Sequence, residues 1–185
     1  MICLFRENTQ RIVMKILYCL VYCTMKKIHI KDDIYALVDD EDFERVSVYK
    51  WCLNSNGYAS TSWHIGHYPN GKPRQQSMRM HRFIMGLKKG DYQLDHIDLD
   101  KLNNQKSNLR PATQGENARN RQRHSTNKSG YKGVNFHKPS GLYRAVLMHS
   151  GKLVTTYHKD ALSAAISYNS MAIRLHGEFA RLNVI

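Results

Sequence analysis

The chain has 185 residues, of which 42% are hydrophobic and 10% aromatic. That is enough for one modest core or two small ones and too little for a large single-domain enzyme. Its 28 lysines and arginines against 15 acids give a formal charge of +13, a balance that suits a polyanionic partner better than a small neutral substrate. The four cysteines, Cys3, Cys19, Cys23 and Cys52, contain no Cys-x-x-Cys pair, so neither a disulfide framework nor a structural zinc is expected and the chain reads as intracellular.

The charge is uneven. Residues 1 to 100 carry 14 basic and 12 acidic side chains, 101 to 128 carry 7 and 1, and 129 to 185 carry 7 and 2. The positive field therefore begins near residue 100.

In chain order, residues 11 to 25 hold a short apolar run after a basic residue. It is too short to span a membrane and lacks a small-residue cleavage site. Met25 opens Met-Lys-Lys-Ile-His-Ile, which reads as a natural start, with 1 to 24 as an extension outside the chemistry. From 25 to 90 the pattern is β-like: Ile34 to Val38, Val46 to Leu53, and Gly57 to Trp63, with Asn56-Gly57 and Asn70-Gly71 as turn signals. An antiparallel layer with one or more hairpins is expected. Ser77 to Gly86 reads as a strand passing into a short helix that Gly86 terminates.

The run from Asp95 to Arg110, Asp-His-Ile-Asp-Leu-Asp-Lys-Leu-Asn-Asn-Gln-Lys-Ser-Asn-Leu-Arg, is followed by Glu116-Asn117. Phosphodiester hydrolysis needs an activated water, charge stabilisation and help for the leaving oxygen, which one hard cation and one base supply. Asp95 is a suitable oxygen ligand, and His96 carries the side chain that titrates nearest neutral pH. Asn117 falls on a predicted helix, 114 to 122, where its amide oxygen is a second candidate ligand. Arg121, four residues on, would share that face and contact a phosphate. One difficulty is geometric: neighbours on a regular strand point to opposite faces, so Asp95 and His96 share a site only if the chain twists there. Asp98 and Asp100 read as loop-capping acids.

Asp95-His96, Asn108-Leu-Arg110 and Glu116-Asn117-x-x-Asn120 resemble the motif of HNH nucleases, a ββα-metal fold, and are most similar to phage and intron-encoded homing endonucleases in which the final His is Asn. The resemblance implies His96 as general base, Asp95 and Asn117 as metal ligands, and Asn108 as the residue orienting the base. Asn103 and Asn104 are candidates for holding the loop. Arg121 joins the catalytic set, and His81, in Met-His-Arg, is a candidate for supporting the site or meeting a phosphate. An all-oxygen ligand pair favours one magnesium or manganese ion over zinc.

Arg123 to Gly130 is polar and aperiodic, and a linker is placed at 123 to 128. Beyond it Tyr131 to His137, Leu142 to His149 and Lys152 to His158 read as three hairpin-linked strands. Asp160 then caps a helix with Ala161, Ala164, Ala165, Tyr168, Ala172 and Leu175 along one face and Gly177 as its stop. Ser129-Gly-Tyr-Lys-Gly-Val-Asn-Phe136, Tyr143-Arg-Ala145 and Gly177-Glu-Phe-Ala-Arg-Leu-Asn183 resemble the plant Apetala/ethylene-response-factor (AP-two) DNA-binding domain. That resemblance implies a three-stranded sheet that enters the major groove, backed by one helix. It makes Tyr131, Lys132, Asn135, His137, Lys138, Arg144 and Lys152 candidate DNA contacts, joined by Arg119 and Arg123 beside the nuclease motif. Arg144 is assigned to a base edge, and Lys132 and Lys138 to phosphates. The Val154-Thr-Thr-Tyr157 end of the third strand departs from the family pattern.

The expected fold class is thus α+β: an N-terminal antiparallel β region (25 to 90), an HNH ββα-metal motif (91 to 122), and a three-stranded antiparallel sheet packed on one helix (129 to 185). The expected function is site-specific, metal-dependent hydrolysis of double-stranded DNA, acting in the cytoplasm of a bacterial or phage-infected cell, with no membrane partner. One site per chain implies a monomer that nicks. A DNA-binding regulator that keeps the nuclease scaffold without its catalysis is the competing expectation, and His96 argues against it.

Overall fold

The computed structural model describes residues 25 to 88 and 90 to 185; the expected extension, 1 to 24, lies outside them. The chain divides into two compact units, the first running to Arg110 and the second from Pro111 to Ile185. Both mix helix with antiparallel sheet. No helix among the described residues is long and apolar enough to cross a membrane.

In the first unit β1 (Met25–Lys31) and β2 (Ile34–Asp39) form an antiparallel hairpin. Period-two alternation turns Ile28 and Ile30 of one strand and Ala36 and Val38 of the other to a common core. Helix α1 (Asp40–Ser47) follows at once. Here the expected strand from Val46 to Leu53 is corrected: Val46 is a buried residue of α1, and only Cys52–Leu53 is extended, as β3. Three acids, Asp40, Glu41 and Asp42, sit in the first helical turn, where the helix dipole favours negative charge. The sequence of α1 is mostly polar, so its apolar period is carried by Phe43 and Val46 alone. Trp51 closes the core, its indole donating to the carbonyl of Val46 at 2.8 Å.

β4 (Ala59–His67) and β5 (Pro73–Arg79) continue the sheet in the order β3, β4, β5. The expected turns are found there, with Gly57 at φ 80° and Gly71 at φ 75°, left-handed values that favour glycine. β5 runs into the short helix α2 (Met80–Ile84), and Gly86 at φ 68° ends that turn, as the sequence predicts. Met80 and Ile84 complete the core with Ala59.

β6 (Gln93–His96) and β7 (Leu109–Ala112) form a two-stranded sheet. The loop between them is tied to β2 by backbone bonds: Leu37 N–H donates to Leu102 O and Asn104 N–H to Leu37 O, both at 2.8 Å.

The second unit opens with helix α3 (Gln114–Asn120), which Thr113 and Glu116 start with a capping box; each side chain accepts from the other's backbone N–H. β8 (Val134–His137), β9 (Leu142–His149) and β10 (Lys152–His158) form an antiparallel sheet with β9 in the middle. Helix α4 (Ala161–His176) packs on it, and Ser163 N–H donates to the Asp160 cap at 2.7 Å. Ala164, Ala165 and Ala172 are fully buried with Val134, Ala145 and Tyr168. A β-carbon on Gly133 would lie 2.1 Å from the Tyr168 ring and 2.8 Å from Val146 O, so glycine is required for the close approach of helix and sheet. Near the C-terminus Asn183 bonds both Lys132 and Asn169, locking the chain end against the start of the sheet.

Candidate active site

The alternation difficulty at Asp95 and His96 resolves into two different environments. Asp95 is 6% exposed and His96 5%, both in β6. Asp95 turns to Arg110, whose Nε and Nη2 donate to Oδ2 at 3.0 and 2.7 Å. Two donors of one guanidinium thus meet a nearly buried carboxylate and offset its charge. Arg110 lies in the Asn108-Leu-Arg110 stretch of the motif, and the pairing of β6 with β7 brings it to Asp95.

His96 turns elsewhere. Its Nε2 lies 3.5 Å from Asn104 Oδ1. The other end of that amide, Nδ2, donates to Leu102 O at 2.9 Å, which fixes which atom faces the imidazole. With Oδ1 toward the ring, the Asn104 amide favours the tautomer that carries its proton on Nε2. Asn104 is 1% exposed and its own N–H is bonded to β2. His96 is thereby held by the core of the first unit.

Around His96 the rings of His81 and Tyr58 sit at 5.0 and 5.9 Å, and at 5.2 Å from each other. Burial pushes the His96 pKa below 6.5, offset only in part by Asn104 and the carboxylates of Asp98, Asp95 and Asp100. His81 is pushed down to about 3, by burial first and then by the charges of His96, Arg79 and Arg82. Both imidazoles are neutral at pH 7. The Arg79 guanidinium lies 4.8 Å above the Tyr58 ring and the Lys101 ammonium 5.0 Å from it. Nothing in the sequence around Tyr58 links it to the distant histidines, so it was not anticipated.

Asn108 ties the loop. Its Nδ2 donates to Asp98 Oδ1 and Asn103 O at 2.8 and 2.9 Å, and its Oδ1 accepts from Asp98 N–H at 3.0 Å. Asn104 is the asparagine whose side-chain oxygen faces the His96 ring, while Asn108 bonds within the loop. Asp98 and Asp100 cap the loop, accepting from the backbone N–H of Asp100 and Leu102 at 2.8 and 2.9 Å.

A second group of acids, Asp39, Glu41 and Asp42, has oxygens within 4.8 Å of one another. Its carboxylates are met by cations of the protein itself: Lys106 Nζ lies 3.1 Å from Asp42 and bridges to Glu41, and Arg45 lies 2.6 Å from Asp42. Asp39 accepts from the Lys106 backbone and from Gln105. This cluster clamps the loop to α1.

The second unit carries Asn117 within α3. Arg121 is not a helical residue as expected; the helix stops at Asn120 and Arg121 is its C-cap, with ψ 148°. The exposed Arg123 donates to Asn127 O at 3.0 Å, and Arg119 O accepts from the Lys132 ammonium.

The sheet of this unit presents one face away from α4. Asn135 pairs with Arg144 across β8 and β9, and Arg144 with Tyr157 across β9 and β10, so the three share that face. Arg144 Nε donates to Asn135 Oδ1 at 3.2 Å, and His137 meets Tyr157 at 5.3 Å. Lys138 is exposed on the turn between β8 and β9. Three expected contacts are not brought there. The Tyr131 ring packs on the core, and Lys152 shares the face of Val154, which packs on the same core. Lys132 is half-buried with its pKa pushed down to about 8, by burial first and then by Arg181.

No family model and no solved structure matches the chain. Its sequence is 37% identical over 158 residues to an uncharacterized HNH endonuclease of Acanthamoeba polyphaga mimivirus, covering 82% of this chain and 75% of that protein. It is also 34% identical over 90 residues to protein 3.8 of Escherichia phage T7, covering 49% of this chain and 74% of that one. The chain belongs to the HNH endonuclease family.

Proposed function

We propose that this protein is a metal-dependent DNA endonuclease of the homing type, with His96 as its general base and the second unit as its target-reading module. The observation that carries this reading is the setting of His96: a buried imidazole, neutral at pH 7, with Nε2 against Asn104 Oδ1. A lowered pKa keeps the base unprotonated at working pH, at the expense of some intrinsic basicity.

Asp95 and Asn117 are the residues that would hold a divalent ion. Their donors are hard oxygens, which suit magnesium or manganese. Such an ion, when bound, supplies charge neutralisation at the non-bridging oxygens and at the leaving 3′ oxygen. The His96 imidazole takes a proton from water, the water oxygen bonds to phosphorus, and the bond to the 3′ oxygen breaks, that oxygen taking a proton from a solvent water, which leaves a 5′-phosphate and a 3′-hydroxyl. Tyr58 and His81 fill the space beside His96 and keep bulk water from reaching it broadly. The succession β6, β7, α3 supports a ββα-metal motif. The sheet and single helix of the second unit support an AP-two-type module, with Arg144 reading a base edge from the exposed face. One such site per chain makes the monomer a nickase.

The test is incubation of wild type and His96→Ala with supercoiled plasmid carrying cognate DNA, with magnesium or manganese. Wild type relaxes the plasmid, while the variant binds without cutting. Binding without nicking by wild type would instead identify a regulator that keeps the scaffold.

A further inference from the structure

The β4 and β5 ribbon is difficult to explain as part of a folded core. From Ser62 to Arg74 every described residue except Gly66 is exposed, and strands rich in Ser and Gln have little intrinsic preference for a sheet. A two-stranded hairpin is marginal alone. Yet its register is well defined, Ser62 opposite Ser77 and His64 opposite Gln75, with a bulge at Gly66 and a tip closed by Tyr68 N–H to Lys72 O at 2.9 Å. Arg74 lies 5.9 Å over the Tyr68 ring, and His64 and His67 meet at 4.7 Å.

The charge around it is one-sided in a way that a count over the first hundred residues conceals. Residues 45 to 90 hold eight lysines and arginines and no aspartate or glutamate; all the acids of the first unit lie before or after. One face of the ribbon carries Ser60, Ser62, His64, Gln75, Ser77 and Arg79. It borders an open groove of about 740 Å³ that Lys50 and Asn54 also line. These are hydroxyl, amide and guanidinium groups, which bond to base edges and phosphates, with no carboxylate to repel them. At its base Arg79 stacks on Tyr58, next to His96.

We propose that this ribbon is a second DNA-docking element, which enters the major groove of a B-form duplex with Gln75 and the serine row toward the base edges and Lys72 and Arg74 on phosphates. The major groove, about 12 Å wide, admits a two-stranded ribbon, and the exposed length, about 20 Å at 3.3 Å per residue, reaches along it. This inference rests on DNA being the substrate and adds a contact that the second unit does not supply.

The experiment uses the full chain and a pool of short random-sequence DNA duplexes, with affinity followed by fluorescence anisotropy across a salt series. Wild type is compared with the double variant Lys72→Ala/Arg74→Ala and with the charge-keeping Lys72→Arg/Arg74→Lys. Two lost phosphate contacts lower affinity about tenfold or more and make the slope of log K on log salt shallower by about 1.8, at roughly 0.9 per contact. The charge-keeping variant retains the wild-type slope, and both variants melt as wild type does because the two side chains are exposed. An RNA duplex pool, whose major groove is too narrow and deep for the ribbon, shows no dependence on the substitution. An unchanged slope on DNA, or an equal loss on RNA, overturns the proposal. Nicking by wild type and its loss in His96→Ala are read separately, so failure of the ribbon and failure of the nuclease reading are distinguishable.

Discussion

His81 makes acid a specific threat to the first unit. It is 4% exposed, its Nδ1 is buried without a hydrogen-bond partner, and its pKa is pushed from 6.5 to about 3. In the unfolded chain the ring takes a proton as pH falls through 6.5, while in the fold it does not until about 3. The unfolded state therefore binds more protons across that window, and stability falls as pH falls, to a full loss below pH 3. At pH 4.5 the difference spans two pH units, or about 2.7 kcal/mol at 1.36 kcal/mol per unit. His81→Phe keeps the ring packing against Tyr58 and His96 and removes the titration. Urea unfolding of both proteins at pH 7.5, 5.5 and 4.5 gives the comparison; carboxylates titrate in both and cancel. Wild type should lose about 2.7 kcal/mol relative to the variant between the first and last conditions. Parallel pH dependences for the two proteins would refute the buried neutral imidazole.

Three further outcomes follow from named contacts. Gly133→Ala forces a β-carbon into the Tyr168 ring at φ 70° and should destabilise the second unit by about 2 to 4 kcal/mol in thermal melts; a change within error would mean that the helix can retreat from the sheet. Arg110→Ala strips the guanidinium from a buried carboxylate and should cost about 3 to 5 kcal/mol, with the Asp95→Leu/Arg110→Met double variant recovering part of it; the absence of any recovery would place the loss elsewhere. Asn104→Ala removes a bond that raises the His96 pKa, so the acid limb of the nicking rate should move to lower pH while the plateau falls; a limb that stays in place would show that Asn104 serves the loop alone.

Where local rules act by themselves, the sequence and the fold coincide. β9 and β10 fall on the expected spans because alternation and the Pro139-Ser-Gly141 and Ser150-Gly151 turns bound them, and α4 runs from its Asp160 cap to Gly177. The β5 to α2 passage, ending near Gly86, is also as expected. Helix α1 escaped notice because tertiary packing, rather than periodicity, defines it: two apolar residues among acids, one of them against Trp51. The polar run at 123 to 128 marks a change in composition, while chain contacts divide the molecule at Arg110. Lys132 shows why a surface charge cannot be read from residue type; the close approach that Gly133 permits draws its neighbour inward, where Asn183 and the end of α3 engage it.

The separation of Asp95 from His96 explains more than their adjacency. Had both side chains shared one environment, the carboxylate would raise the imidazole pKa strongly and the base would be protonated at neutral pH. β6 instead keeps its period of two and is buried at its Asp95–His96 end, so Arg110 meets the carboxylate while His81 and Tyr58 surround the imidazole. The carboxylate still raises the His96 pKa, but less than burial lowers it. Two neighbouring residues thereby stand in different surroundings, a carboxylate against a guanidinium and an imidazole kept neutral at pH 7 by burial, which is the division that the proposed ligand and base each require. The loop supports it: Leu99, at φ 73°, turns the chain back so that its N–H reaches His96 O at 3.0 Å, and a non-glycine residue persists in that conformation only where its surroundings fix it. Asn108, Asp98 and Asn103 are those surroundings, which is why so many side chains are spent on a loop that touches His96 through Asn104.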